Sequence, residues 1–586
     1  MFTNGTRHVG RERDQVLAAS RPGRLSGTRG APVSRLMGEM ERRTARARRY
    51  KSWTVPRSSR VPLSLVLARG VSIAIMFTYL RGWIPTALVP HAPLPMRRGS
   101  NGKLVDTLMA DTAAEAEVHA STISFPQSFL LGAATAAYQV EGGLDNCNWA
   151  AWERSGRNGP HFAGKACDAW NLFEEDIKLM KELGLRMMRF SVDWSRCEPS
   201  EGVFDSAAIE RYVSWCRALH ANGIEPMVTL HHFAEPEWFG AKGGWEVGAN
   251  VKYFTRFVET VCPQLCPHCT HWCTLNELNG YAMCGWVGGV HPPGKKDDPI
   301  TMVIVIKNML VAHTQASVAI RAISKQCKQL SGKKPDAADG ASPTPIICLA
   351  MSHILFVPSS GYGIYALLSA FFAIVVGYLF NLVYWDALVL GRVAWPVHLV
   401  VWLCGWSADL KALKGTIDVL GINHYYRSVC TFTRGNAEAA GRVAGATDLF
   451  IQLPFGMTIN ASPLDEFEKS DIGWDLTPSS MELLLRSMWA RYSFPIMVTE
   501  SGIADGDEPD DRRTRYLAAC LGIAQRLRAD GVDLRGYLLW TLLDNFEWAE
   551  GFAPRFGLLH TDFKTHKRSE RKSNAMLKQI LSRTAD

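Results

Sequence analysis

Apolar runs short enough to be strands alternate with amphipathic stretches along most of this chain. The runs fall at 129–138, 185–194, 224–233, 270–276, 345–353, 417–425, 495–499 and 534–541. Between them, residues 174–183, 207–221, 251–262, 302–323, 480–492 and 512–530 carry apolar side chains at helical spacing. Strands that alternate with helices predict a parallel sheet with right-handed crossovers, and eight repeats predict closure into an α/β fold of the (β/α)8 TIM-barrel class. Such a barrel builds its site at the C-terminal ends of its strands.

Two of those ends carry a glutamate. Thr274-Leu275-Asn276-Glu277 closes the fourth run, and Val498-Thr499-Glu500-Ser501-Gly502 closes the seventh. Barrel closure brings both carboxyls to one mouth. Two carboxyls facing each other across a pocket are the apparatus of glycoside hydrolysis, in which one protonates the leaving oxygen while the other attacks, or activates water against, the oxocarbenium-like centre. Taken alone, either glutamate reads more readily as a solvated strand end than as a catalytic group; the pair on a regular repeat is what points to chemistry.

Several separate motifs strengthen the reading. Phe125-Pro126 through Gln139-Val140-Glu141-Gly142, Arg189-Phe190-Ser191 with Trp194-Ser195-Arg196, Leu230-His231-His232, Asn423-His424-Tyr425 and the run from Trp540 to Trp548 accompany the two glutamates. Together they resemble glycoside hydrolase family 1, the family of β-glucosidases and β-galactosidases, from about residue 125 to the C-terminus. The resemblance implies a retaining β-glycosidase, foremost a β-glucosidase, that releases terminal non-reducing β-D-glycosyl residues by double displacement. It implies Glu277 as acid/base and Glu500 as nucleophile, with Arg189 and Tyr425 holding Glu500 ionised and Asn276 meeting the sugar 2-hydroxyl. Gln139, His232, Trp540, Glu547 and Trp548 are the implied sugar-binding residues, and a carboxylate at Glu547 is expected to repel a 6-phosphate. Three positions depart from the family pattern: Leu278 stands for a proline, Phe233 for a tryptophan and Ser501 for an asparagine. None of them removes a proton-transfer group.

At 586 residues the chain exceeds a minimal barrel, and it divides into an N-terminal extension, 1–115, and a catalytic domain, 116–586. The formal charge of +8 is not a nucleic-acid signal, because the excess gathers in the Arg-rich, acid-poor extension. Residues 61–80 are apolar but interrupted by Arg69-Gly70, which leaves a signal-anchor, an organellar presequence and a mis-assigned upstream region as readings. The expected location is membrane-associated or organellar, otherwise cytoplasmic.

A second apolar run, 362–385, carries no charge and is long enough to cross a bilayer, yet it lies between the fifth and sixth strands. A single crossing there would place Glu277 and Glu500 on opposite sides of the membrane. The surviving readings are a buried helix of the outer ring or an apolar face resting on lipid, and 393–406 extends the same character. An apolar barrel face could meet glycolipids, and Glu508-Pro509-Asp510-Asp511-Arg512-Arg513 with the shortened region before Ile417 resembles the plant galactolipid galactosyltransferase branch of the same broad family and the archaeal β-glycosidases. A membrane-associated glycolipid transglycosylase is therefore one alternative and a sugar-binding pseudoenzyme another. The implied partner is a small β-glycoside or a glycolipid; membrane contact and oligomeric state stay open.

Cys262, Cys266, Cys269 and Cys273, with His268 and His271, imitate a metal cluster. Strand alternation sends neighbouring side chains to opposite faces, so no metal is expected there. The cysteines elsewhere among the 14 are scattered without a compact framework, so mostly free thiols are expected. No Gly-rich phosphate loop stands out, and no cofactor is expected. Asn460-Ala461-Ser462 is a glycosylation-type triplet weakened by Pro463.

Overall fold

Eight parallel strands close on one another. In the computed structural model, which describes residues 120–330, 344–359, 363–434, 449–453, 457–462 and 467–583, they are β1 (Leu130–Ala134), β2 (Met187–Ser191), β3 (Glu225–Thr229), β4 (His271–Asn276), β5 (Ile346–Pro358), β6 (Val419–Arg434), β9 (Ile496–Ser501) and β10 (Leu534–Trp540). Each pairs with the next, β6 pairs with β9, and β10 returns to β1. A hairpin, β7 (Leu449–Leu453) with β8 (Met457–Ser462), adds antiparallel to the far end of β6. The extension 1–115 and its apolar run at 61–80 lie outside the described residues, as do the side chains of the 460–462 triplet.

The helices α1 (Ala169–Leu183), α2 (Ser206–Ala221), α3 (Val251–Leu265), α4 (Leu278–Met283), α5 (Pro299–Leu330), α6 (Gly363–Gly377), α7 (Trp395–Leu403), α8 (Ser407–Leu413), α9 (Pro478–Tyr492), α10 (Asp511–Ala529) and α11 (Lys572–Leu581) lie between or after the strands. In α1, Phe173, Ile177 and Met180 repeat at helical spacing and are all buried. The chain then turns at Gly184, whose φ of 78° suits a residue without Cβ. Asp205 starts α2 by accepting from the amides of Ala207 (2.8 Å) and Ala208 (3.0 Å), which satisfies two otherwise orphaned donors.

Strand ends differ from the sequence pattern in one systematic way. The apolar runs at 129–138 and 224–233 continue past the paired residues, because the chain stays buried after leaving the barrel rim. β1 stops at Ala134 and Gln139 sits in a helical turn, Ala137–Val140, pinned by the Ala137 amide donating to Ser191 Oγ at 2.7 Å. β3 stops at Thr229, so His232 and Phe233 belong to the loop above it. Apolar content reports burial, whereas strand length is set by pairing.

The segment between β5 and β6 is neither a fully buried ring helix nor a single crossing of a membrane. β5 and β6 are direct parallel neighbours over Cys348–Pro358, so the chain returns to the same barrel. One side of α6 packs on their outer extensions, with Phe372 stacked on Phe432 at 5.6 Å. Past α6 the chain is tied down by Trp385, whose indole donates to His353 Nε2 at 2.8 Å, and by Asp386. The Asp386 carboxylate accepts from Arg491 (2.7 Å) and Tyr492 (2.8 Å) of α9.

All 14 cysteines are free. Those of the 262–273 segment point to different partners. Cys266 meets Ser324 at 2.9 Å, Cys269 donates to the His271 carbonyl, and Cys273 lies 3.7 Å from Arg189 Nη2.

Tight strand contact supplies a stability prediction. A Cβ on Gly132 of β1 would stand 2.0 Å from the Met187 carbonyl oxygen, whereas one on Gly240 would meet nothing within 4 Å. Gly132→Ala is expected to cost at least about 1–3 kcal/mol, seen as a lowered thermal unfolding midpoint. Gly240→Ala should leave the midpoint unchanged, and equal midpoints for the two variants would refute the packing argument.

Candidate active site

Arg189 is the first element of the site. It projects from β2 with no solvent exposure, and an unpaired guanidinium there would be prohibitive. Every neighbour answers that charge. Nη1 donates to Glu500 Oε1 at 2.7 Å, Nη2 to Asn276 Oδ1 at 2.6 Å and Nε to Thr229 Oγ1 at 3.0 Å. Four strands, β2, β3, β4 and β9, are thereby tied at their C-terminal ends.

Tyr425, from β6, donates to the other oxygen of Glu500 at 2.7 Å. Burial pushes the Glu500 carboxyl above its ordinary range, while Arg189 and Tyr425 pull it down. This corrects the expectation of a simply depressed carboxylate: desolvation of a fully enclosed acid outweighs one cation. Glu277 has no ion pair of its own, and the pull of the Asn423 hydrogen bond and the Arg189 charge does not offset its burial. It follows β4 at φ 44°, a left-handed conformation, with its amide donating to the Ala350 carbonyl at 2.8 Å. Its side chain opens to the cavity but is otherwise walled by protein, and Asn423 Nδ2 donates to its Oε1 at 2.8 Å. Burial, then the charge of Glu500, pushes Glu277 up to about 8. The two acids therefore part in order: Glu500 ionises first and Glu277 keeps its proton.

Asn423 was not among the candidate site residues. It bridges the site by donating to Glu277 and to Asn276 Oδ1 (3.1 Å) while its own Oδ1 accepts from Thr499 Oγ1 at 2.6 Å. The available signal was its position two residues before Tyr425 on one strand, hence on the same face. Asn276 then has its oxygen committed to donors, so its Nδ2 donates to His232 Nε2 at 3.0 Å. His232 is held neutral by burial and by the nearby Arg189 charge. An accepting Nε2 puts its proton on Nδ1, which has no protein partner.

On the opposite wall Gln139 Nε2 donates to the Phe546 carbonyl (2.8 Å) and toward Asn545 and Glu547, leaving Oε1 without a partner. Trp540 donates to Glu547 Oε1 at 3.2 Å. Burial raises the Glu547 carboxyl to about 8, so it is protonated at neutral pH and can donate as well as accept. The expected repulsion of a 6-phosphate by charge at this position is accordingly weaker than the sequence implied.

His232, Asn276, Glu277, Tyr425, Glu500, Trp540, Glu547 and Trp548 line one cavity of about 420 Å³. Of the remaining candidates, Arg189 stands behind Glu500 and Gln139 against Glu547. The cavity also takes Met283, Ile354, Phe356, Phe380, Trp474 and Phe556, which no pattern in the sequence marked. Of the three departures, Phe233 lines the cavity with its ring 5.2 Å from Trp548, Leu278 is fully buried at the start of α4, and Ser501 faces Tyr516 at 3.4 Å.

The profile described as Glycosyl hydrolase family 1 matches residues 121–333 and 405–585, well over half of the chain. The chain belongs to glycosyl hydrolase family 1. It is a β-glycosidase. It is 31% identical over 484 residues to Beta-glucosidase A of Acetivibrio thermocellus, covering 79% of this chain and 99% of the relative. Against Beta-glucosidase 34 of Oryza sativa subsp. japonica it is 30% identical, covering 78% and 92%. The structure is similar to the β-glucosidase from Thermotoga maritima in complex with glucoimidazole, with a TM-score of 0.66 at 26% identity, covering 78% and 99% of the two chains.

The Tyr425 hydroxyl gives this family 1 site a testable lever. Because its hydrogen bond favours the ionised form of Glu500, Tyr425→Phe is expected to move the acidic limb of the kcat/KM profile to higher pH. An unmoved limb would show that the bond does not tune Glu500.

Proposed function

We propose that this chain is a retaining β-glycosidase that acts on terminal β-glucosides, with Glu500 as nucleophile and Glu277 as acid/base. The carrying observation is the unequal treatment of two carboxyls in one cavity. Glu500 holds an ion pair and a phenol hydrogen bond, while Glu277 has one amide partner and a pKa raised to about 8. In this reading Glu500 attacks the anomeric carbon as Glu277 gives its proton to the departing oxygen. The covalent ester removes the charge on Glu500, the proton affinity of Glu277 falls, and the same carboxylate then takes a proton from the attacking water.

The sugar hydroxyls meet complementary groups. His232 Nδ1 supplies a donor, Glu547 either role, and the faces of Trp540 and Trp548 cover the ring. Asn276 keeps one amide hydrogen beyond its bond to His232, suited to the 2-hydroxyl. A glucoside preference is supported by relatives named β-glucosidase and by the Thermotoga maritima enzyme solved with glucoimidazole.

A second reading, glycosyl transfer involving a lipid-linked sugar, draws support from Met283, Ile354, Phe356 and Phe380, an apolar set on the cavity wall. Product analysis with an alcohol acceptor separates transfer from hydrolysis. A pseudoenzyme reading has little support, since both carboxyls and their partners are in place.

Glu500→Gln is expected to lose nearly all turnover, since an amide cannot form the ester. A 2-fluoro-glucoside should label Glu500, and a label mapped by peptide mass to any other residue would overturn the assignment.

Glu277→Ala should slow glycosides with poor leaving groups by about 10²- to 10⁴-fold and activated aryl glycosides less in the glycosylation step. In the parent enzyme kcat/KM should fall as pH rises through about 8, where Glu277 loses its proton. That alkaline limb should vanish in Glu277→Ala. A limb that persists there would assign the acid elsewhere.

A further inference from the structure

The family match stops at residue 333 and resumes at 405, and the intervening segment carries the most apolar exposed surface among the described residues. On α6, Leu367 is 68% exposed; on α7, Trp402 and Leu403 are 63% and 68% exposed. Ile364, Leu399 and Val400 are exposed beside them. Exposed patches of this density on a soluble barrel mark an interaction surface rather than a solvated one.

Charge says what the surface fits. From 363 to 403 the acidic residue is Asp386, buried against Arg491. The exposed charges that adjoin the segment are mostly cationic: Arg392 between α6 and α7, then Lys411 and Lys414 at the end of α8, while the one adjoining acid on α8, Asp409, is paired with Lys307. Apolar side chains with tryptophan and a basic rim are the composition that lies in the interface of an anionic bilayer, with the cations at headgroup level.

Behind α7 runs a groove of about 270 Å³, walled by α5, α7 and α8 through residues such as Val303, Leu310, Val397, Val401 and Leu410. Its two charged residues, Lys307 and Asp409, pair with each other at 3.3 Å. Leu379 closes the groove, while the next residue, Phe380, lines the active-site cavity. One helical turn, Tyr378–Leu382, thus stands between the groove and the active-site cavity and lines both.

We propose that the α6–α7 face docks on the surface of an anionic lipid bilayer, with Leu367, Trp402 and Leu403 entering the acyl boundary and the groove accepting part of a lipid chain. The face rests on the membrane and does not cross it, since β5 and β6 hold both of its ends in one barrel.

Hydrogen exchange of the full chain, read by mass spectrometry with and without vesicles of phosphatidylcholine and phosphatidylglycerol, tests this locally. Peptides spanning 363–377 and 395–403 should exchange about tenfold more slowly with vesicles. In Leu367→Asp with Leu403→Asp that slowing should be lost, while kcat/KM on a soluble aryl glucoside is unchanged. Because the readout is confined to the two segments, attachment through any other part of the chain cannot imitate it. Unchanged exchange with vesicles overturns the proposal. So does protection that rises with protein concentration in the absence of lipid, which identifies a second copy as the occupant. Loss of aryl-glucosidase activity in the double variant overturns it as well, by showing that the side chains serve the interior.

Discussion

A buried guanidinium organises this enzyme. Arg189 has no access to water, so its charge has to be met inside the barrel, and the side chains that meet it are those of the candidate site. Withdrawing Glu500 would leave a desolvated ion, which costs several kcal/mol in general. The ion pair with Glu500 therefore fixes the carboxylate, the register of the strand ends around it and the orientation of the Asn276 amide in a single step. From that amide the order runs outward through Asn423 to Glu277 and through His232 to the cavity wall.

Much of this was legible in the chain because barrels repeat. The eight apolar runs, the helices between them and the two glutamates at strand ends follow from periodicity and strand-end logic alone. Tyr425 and Arg189 came from motif resemblance, and the structure brings both to Glu500. Asn423 was quoted within the Asn423-His424-Tyr425 motif but given no role, because a polar residue inside an apolar strand reads as neutral until its neighbours on other strands are known. Trp474 and Phe556 reach the cavity from loops, where no period constrains side-chain direction. The raised proton affinity of Glu547 was illegible for a similar reason: sequence gives the type of acid, whereas enclosure by Trp540, Gln139 and the barrel wall sets its charge.

The segment between β5 and β6 shows how composition and topology divide the work. Its composition is that of a membrane span, but parallel pairing of the flanking strands returns it to the barrel. What decides its behaviour is the small number of anchoring residues. Trp385 and Asp386 are buried and satisfied, and the turns around them are held, so the exposed apolar helices on either side are presented rather than collapsed. Apolar content alone could not separate those two roles within one run.

The order of proton affinities in the cavity has a consequence for its total charge. With Glu277 and Glu547 protonated and Glu500 matched by Arg189, these four groups sum to zero before a substrate arrives. Under the proposed double displacement, Glu277 gives up its proton as Glu500 becomes an ester, so one negative charge changes address without changing in number. Arg189 then stays the buried counter-ion of the site. Each step of that mechanism is a displacement of charge within a fixed envelope, and the enclosing protein does not have to solvate a new ion.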